Sequence, residues 1–64
     1  SDLDLEVLLR YLHENNGHCN LGDNSPAELI ADRFQVSKKV FKRAVGDLSR
    51  RRLIVIGDDG IRLI

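Results

Sequence analysis

The 64-residue sequence predicts an α+β fold of the winged-helix type, on three observations. Leucines recur at helical spacing near the start of the chain. Two further helical segments in the middle are joined by only Gln35 and Val36. After Arg52 the periodicity changes to two aliphatic runs separated by Gly57-Asp58-Asp59-Gly60. Three helices followed by a β-hairpin, with room for a short strand between the first two helices, is the element order of a winged helix.

The first helix rests on Leu5, Leu8, Leu9 and Leu12, which follow the i, i+3, i+4, i+7 pattern of one buried face. Asp2 and Asp4 suit its positive N-terminal end. Asn15-Asn16-Gly17 ends it, and Cys19-Asn20-Leu21 is read as a brief strand or extended loop before Gly22-Asp23-Asn24 breaks the chain. The second helix is expected to start with Ser25 as N-cap, Pro26 in its first position and Glu28 completing a capping box, and to bury Leu29, Ile30 and Phe34.

Ser37 is the natural N-cap of a third helix, expected to run to about Arg52. Val40, Phe41, Ala44, Val45 and Leu48 form its packed side, leaving Lys39, Lys42, Arg43, Gly46 and Arg50 opposite. Leu53-Ile54-Val55-Ile56 and Ile61-Arg62-Leu63-Ile64 then read as the strands of a hairpin. A three-helix bundle with a frayed tail is the alternative, but four consecutive aliphatic residues make an odd tail.

Composition narrows the functional classes. A chain this short buries only about 60% of its unfolded surface, too little for a deep catalytic cleft. Hydrophobic residues at 42% and charged residues at 31% support one modest core and exclude the disordered class. No apolar run is long enough to span a bilayer and no signal segment opens the chain, so the expected location is cytoplasmic, with neither a membrane nor a small-molecule substrate as partner. Cys19 is the only cysteine, so no disulfide forms within the chain, and the absence of methionine reads as a single domain, residues 1–64, excised from a longer protein.

Net charge is zero, yet its distribution is uneven. Between Lys38 and Arg52 seven basic residues face one acid, Asp47, a local charge of +6 that leaves −6 for the rest. Arg50, Arg51 and Arg52 have a structural explanation, since a helix C-terminus favours cations by about 0.3–1 kcal/mol. Lys38 and Lys39 stand in the first turn, where the same dipole disfavours them. Backbone N–H groups and two ammonium groups at one helix start suit an anion. Gly46 costs about 1 kcal/mol relative to alanine inside a helix, and on the exposed face it would admit a close partner. The candidate phosphate-contacting residues are therefore Lys38, Lys39, Lys42, Arg43, Gly46 and Arg50, against the plainer reading of a merely solvated basic face. Asp58 and Asp59 at the expected wing tip would repel a phosphate backbone.

Other constellations have ordinary readings. His13, His18 and Cys19 match no zinc spacing, and the adjacent His18 and Cys19 lack the orienting third group of a catalytic pair. No metal, cofactor or catalytic site is expected. Phe34 and Phe41 fall on core faces and Tyr11 at a helix edge, which leaves no platform for stacking bases.

The stretch Ser37-Lys38-Lys39-Val40-Phe41-Lys42-Arg43-Ala44-Val45-Gly46-Asp47-Leu48, with Arg52-Leu53-Ile54 and Asp59-Gly60-Ile61-Arg62-Leu63, resembles the C-terminal winged helix of the CvfB/YitL family. The resemblance extends back through Asn24-Ser25-Pro26 to Tyr11-Leu12. It implies a non-catalytic module assisting OB-fold domains of a bacterial regulatory RNA-binding protein, with Lys38, Lys39, Lys42 and Arg43 toward RNA. From charge alone, RNA, DNA or an acidic surface of another domain of the parent protein would serve as partner.

Overall fold

The computed structural model describes residues 2–64. Three helices, α1 (Leu5–Glu14), α2 (Ala27–Phe34) and α3 (Lys38–Arg50), combine with three strands, β1 (His18–Cys19), β2 (Ile54–Gly57) and β3 (Gly60–Leu63). The strands form one antiparallel sheet in the order β1-β3-β2. This is the winged helix read from the sequence, and the Cys19 segment becomes its short first strand.

Asp4 caps α1 by accepting a hydrogen bond from the Glu6 N–H at 2.8 Å, and Leu8 and Leu12 are its fully buried residues. The helix closes with Asn16 in the left-handed region (φ 59°) and the Gly17 N–H donating to the Leu12 carbonyl. That reversal turns the chain directly into β1.

The start of α2 differs from expectation. Pro26, in extended conformation, occupies the N-cap and offers no side-chain bond. The Ser25 hydroxyl instead accepts from the Gly22 N–H at 2.9 Å, tightening the turn before the helix. A serine hydroxyl can serve the preceding turn as readily as a following helix. Leu29 is a second correction: it is 48% exposed, and Ile30 and Phe34 alone of the three are buried.

Ser37 caps α3 as expected, its hydroxyl accepting from the Val40 N–H at 3.2 Å. The helix ends at Arg50, earlier than Arg52. Arg51 is the C-cap, Arg52 takes a left-handed conformation (φ 60°), and the Arg52 and Leu53 N–H groups donate back to the Ser49 and Leu48 carbonyls. This is a Schellman closure with arginine in the position glycine favours.

Phe41, Ala44, Val45 and Leu48 of α3 share one buried core with Leu8 and Leu12 of α1 and with Ile54 and Ile61 of the sheet. Phe41 stacks on Phe34 with ring centroids 5.5 Å apart, and Phe34 meets Tyr11 edge-on at 5.0 Å. The aromatic residues thus join all three helices in the core, and Tyr11 is packed. Packing on this side leaves the opposite side of α3 facing outward.

Candidate functional site

The basic residues of α3 occupy three parallel rows. Lys39, Gly46 and Arg50 run along the centre of the outward face, with Arg43 beside them, because positions four and seven apart return to the same side of a helix. Lys38 and Lys42 lie on the flank toward the loop before α2. Arg43 and Asp47 lie toward the segment entering α1, where with Val40 and Arg51 they border a shallow groove shared with Asp2, Asp4 and Glu6.

Lys38 has a structural explanation that its sequence position hides. Its ammonium donates to the Ser25 carbonyl at 2.9 Å, tying the start of α3 to the turn before α2. Removing it should therefore lower stability by about 1 kcal/mol, the order of a partly exposed charged hydrogen bond. Lys39→Ala, which removes an unfavourable first-turn cation, should be neutral or slightly stabilising. Urea denaturation of both variants checks this, and equal losses would refute the assignment.

Two of the remaining cations have acidic neighbours from distant parts of the chain. Arg43 pairs with Asp2 at 3.3 Å and Lys42 approaches Asp23 at 4.0 Å. Arg50 pairs with Asp47 on its own helix. All these pairs are exposed and hence weak in water. Lys39 makes no ion pair among the described residues.

Gly46 is half-buried, and its open space is filled from within: a β-carbon there would lie 3.4 Å from Nη1 of Arg50. The glycine lets the arginine fold back toward Asp47, a role the expectation of a close-approaching partner did not include. Arg52 stands just past the helix end in a left-handed conformation.

At the wing, Asp59 lies 3.0 Å from Arg62 and 3.6 Å from His18, so the Arg62 guanidinium offsets part of its negative charge locally. Asp58 borders a depression on whose other side lie Asp23 and Asn24. His18 is thus engaged with the wing, and Cys19 next to it is 1% exposed in the core. Burial pushes the Cys19 thiol pKa up, opposed by a backbone hydrogen bond at Leu21 and the charge of Arg33. A raised folded value means that this group's contribution to stability is whole below its unfolded pKa of about 8.5 and declines as pH rises through the folded value. The stability difference between the native chain and Cys19→Ala should accordingly shrink on going from pH 8 to 10, as followed by urea denaturation; a constant or growing difference would refute it.

Three helices around one core, closed by an antiparallel hairpin and presenting the outer side of the third helix, define a winged-helix domain. The chain belongs to the CvfB-like winged helix domain family, which matches residues 6–63. It is 40% identical over 48 residues to the uncharacterized protein YitL of Bacillus subtilis (strain 168), an alignment covering 75% of this chain and 16% of that protein. It is also similar to the crystal structure of a multidomain protein with nucleic acid binding domains from Streptococcus pneumoniae TIGR4, with a TM-score of 0.89 and 35% identity. That match covers 94% of this chain and 21% of the other, so the chain spans a minor part of both relatives.

Proposed function

We propose that this domain is a non-catalytic nucleic-acid-binding module that contacts phosphates through the outward face of α3. The observation that carries the reading is the local charge of +6 between Lys38 and Arg52, spread over α3 and the two residues that follow it, on a helix whose other side is buried. Membership of the CvfB-like family and likeness to a multidomain protein with nucleic acid binding domains support it. Within that reading the module assists OB-fold domains of a cytoplasmic bacterial regulatory protein and prefers RNA to DNA. Phosphate contacts position a nucleic acid without reading its sequence, so binding is weak, salt-dependent and nearly sequence-independent.

Lys39, Lys42 and Arg43 are the central contributors, with Arg50 and Gly46 farther along the same helix. Lys38 contributes by holding the helix start. Titration of a labelled single-stranded RNA at several salt concentrations tests this. Replacing Lys39, Lys42 and Arg43 with alanine should reduce the slope of log affinity against log salt by about 2, since each lost phosphate contact removes about 0.7 on a single strand. Unchanged affinity in that variant, or NMR shifts that spare α3, would sink the reading.

A second reading has α3 docking on an acidic surface of another domain of the parent protein, favoured by the −6 carried by the rest of this chain. Capture of the parent's other domains by this one, together with no affinity for RNA, would select it.

A further inference from the structure

We infer that the basic face of α3 admits one phosphodiester strand and disfavours a duplex, an inference that rests on the nucleic-acid reading above. The cationic surface is narrow because acids border it on both sides. On the α1 side Asp2 pairs with Arg43 at 3.3 Å, and Asp4, Glu6 and Asp47 continue the border along the groove. On the α2 side Asp23 stands 4.0 Å from Lys42, and Asp58 of the wing lies across the depression that Asp23 borders.

Asp2 and Asp23 are highly exposed, their side chains 89% and 71% so, and are neighbours of the cations without being needed by the core. Each leaves a carboxylate where a broader polyanion would place phosphates. Between the borders, Lys39, Arg43 and Arg50 lie along one helix face. The rise of about 1.5 Å per residue sets Lys39 and Arg43 about 6 Å apart along the axis and Arg50 about 10 Å beyond.

A single strand laid along this row meets Lys39, Arg43 and Arg50 in turn. A duplex is wider: a helix seated in its groove has one phosphate backbone on each side, and the wing commonly reaches the neighbouring backbone. Here both sides and the wing tip present carboxylates, so the second strand meets repulsion. The repulsion is electrostatic and long enough in range, about 8–10 Å at ordinary salt, to reach phosphates that make no direct contact.

The test compares a labelled 12-nucleotide single strand, as RNA and as DNA, with its duplex by fluorescence anisotropy at low salt, using the native chain and a variant carrying Asp2→Asn, Asp23→Asn and Asp58→Asn. The native chain should bind the single strand at least several-fold more tightly than the duplex, and the variant should narrow that ratio by gaining duplex affinity. Circular dichroism confirms that the variant is folded, as the exposure of Asp2 and Asp23 and of Asp58 leads one to expect. Equal or tighter duplex binding by the native chain, or an equal gain for both ligands in the variant, overturns the inference while leaving the nucleic-acid reading intact. No binding of either ligand overturns both.

Discussion

Gly60→Ala is expected to destabilise the domain by about 3–5 kcal/mol, in the range reserved for mutations with an identifiable steric or backbone cause. Gly60 opens β3 with φ +119°, a conformation L side chains rarely adopt, and it is buried against β1. A β-carbon there would run into the Cys19 carbonyl oxygen and lie 2.9 Å from Asn20 Cα and 3.0 Å from the Asn20 carbonyl carbon. All three are backbone atoms of the neighbouring segment, so no side-chain rotation relieves the contact. Relief requires separating β3 from β1, which would break the register of Cys19 with Ile61 and of His18 with Arg62.

A domain of this size has a total stability of about 3–10 kcal/mol at 0.05–0.15 kcal/mol per residue. The variant should therefore be partly or largely unfolded at 25 °C by circular dichroism. Gly22→Ala is the internal control, because its β-carbon would meet the Gly60 Cα at an ordinary 3.7 Å. A Gly60→Ala chain that melts like the control would refute the packing of the wing on β1.

Phe41→Ala is expected to cost about 3–5 kcal/mol, the usual range for deleting a buried aromatic ring. The ring is 1% exposed and lies at an interplanar angle of 21° to Phe34, which in turn contacts Tyr11. Its loss leaves a void where the three helices meet. Tyr11 is itself fixed from outside, its hydroxyl accepting from Arg33 at 2.6 Å, so the helices cannot simply close the gap. At about 4–8 °C per kcal/mol for a domain of this length, the melting temperature should fall by more than about 12 °C. Phe41→Leu should lose less, since it keeps apolar volume at the site. A loss below about 1 kcal/mol in Phe41→Ala would show that α3 is not anchored through this ring.

The Phe41 prediction concerns the placement of α3, and that placement gives the charge pattern its meaning. The five cations of α3 would form a diffuse cloud on a flexible segment. On a helix pinned by Phe41, Ala44, Val45 and Leu48 they become rows with distinct neighbours. Lys38 is drawn into the structure by the Ser25 carbonyl, Arg43 and Lys42 are drawn toward acids, and Lys39 remains at the centre. The zero net charge of the chain thus resolves in space into a basic row with acids beside it.

Periodicity by itself determined the element order, the packed side of α3 and the hairpin, because helix and strand spacing are local properties of side-chain direction. Ser37 was legible as a cap for the same reason: a cap needs only a hydroxyl three residues before an unpaired N–H. Local competition already defeated the reading of Ser25, whose hydroxyl had a turn and a helix within reach and took the turn. Leu29 looked buried because helical spacing marks a stripe, whereas the partner helix covers only part of it.

The site was legible as a set of cations and illegible as a surface. Asp2 lies 41 residues from Arg43, and Ser25 is 13 residues from Lys38. Such pairs arise only when the three helices close on their shared core, since charge attraction in water is too weak and too unspecific in position to write them into a linear pattern. That α3 is basic on its outward side follows from helical spacing alone; which of those cations hold the fold, which are bordered by acids, and how narrow the basic row between them is depend on how the three helices pack.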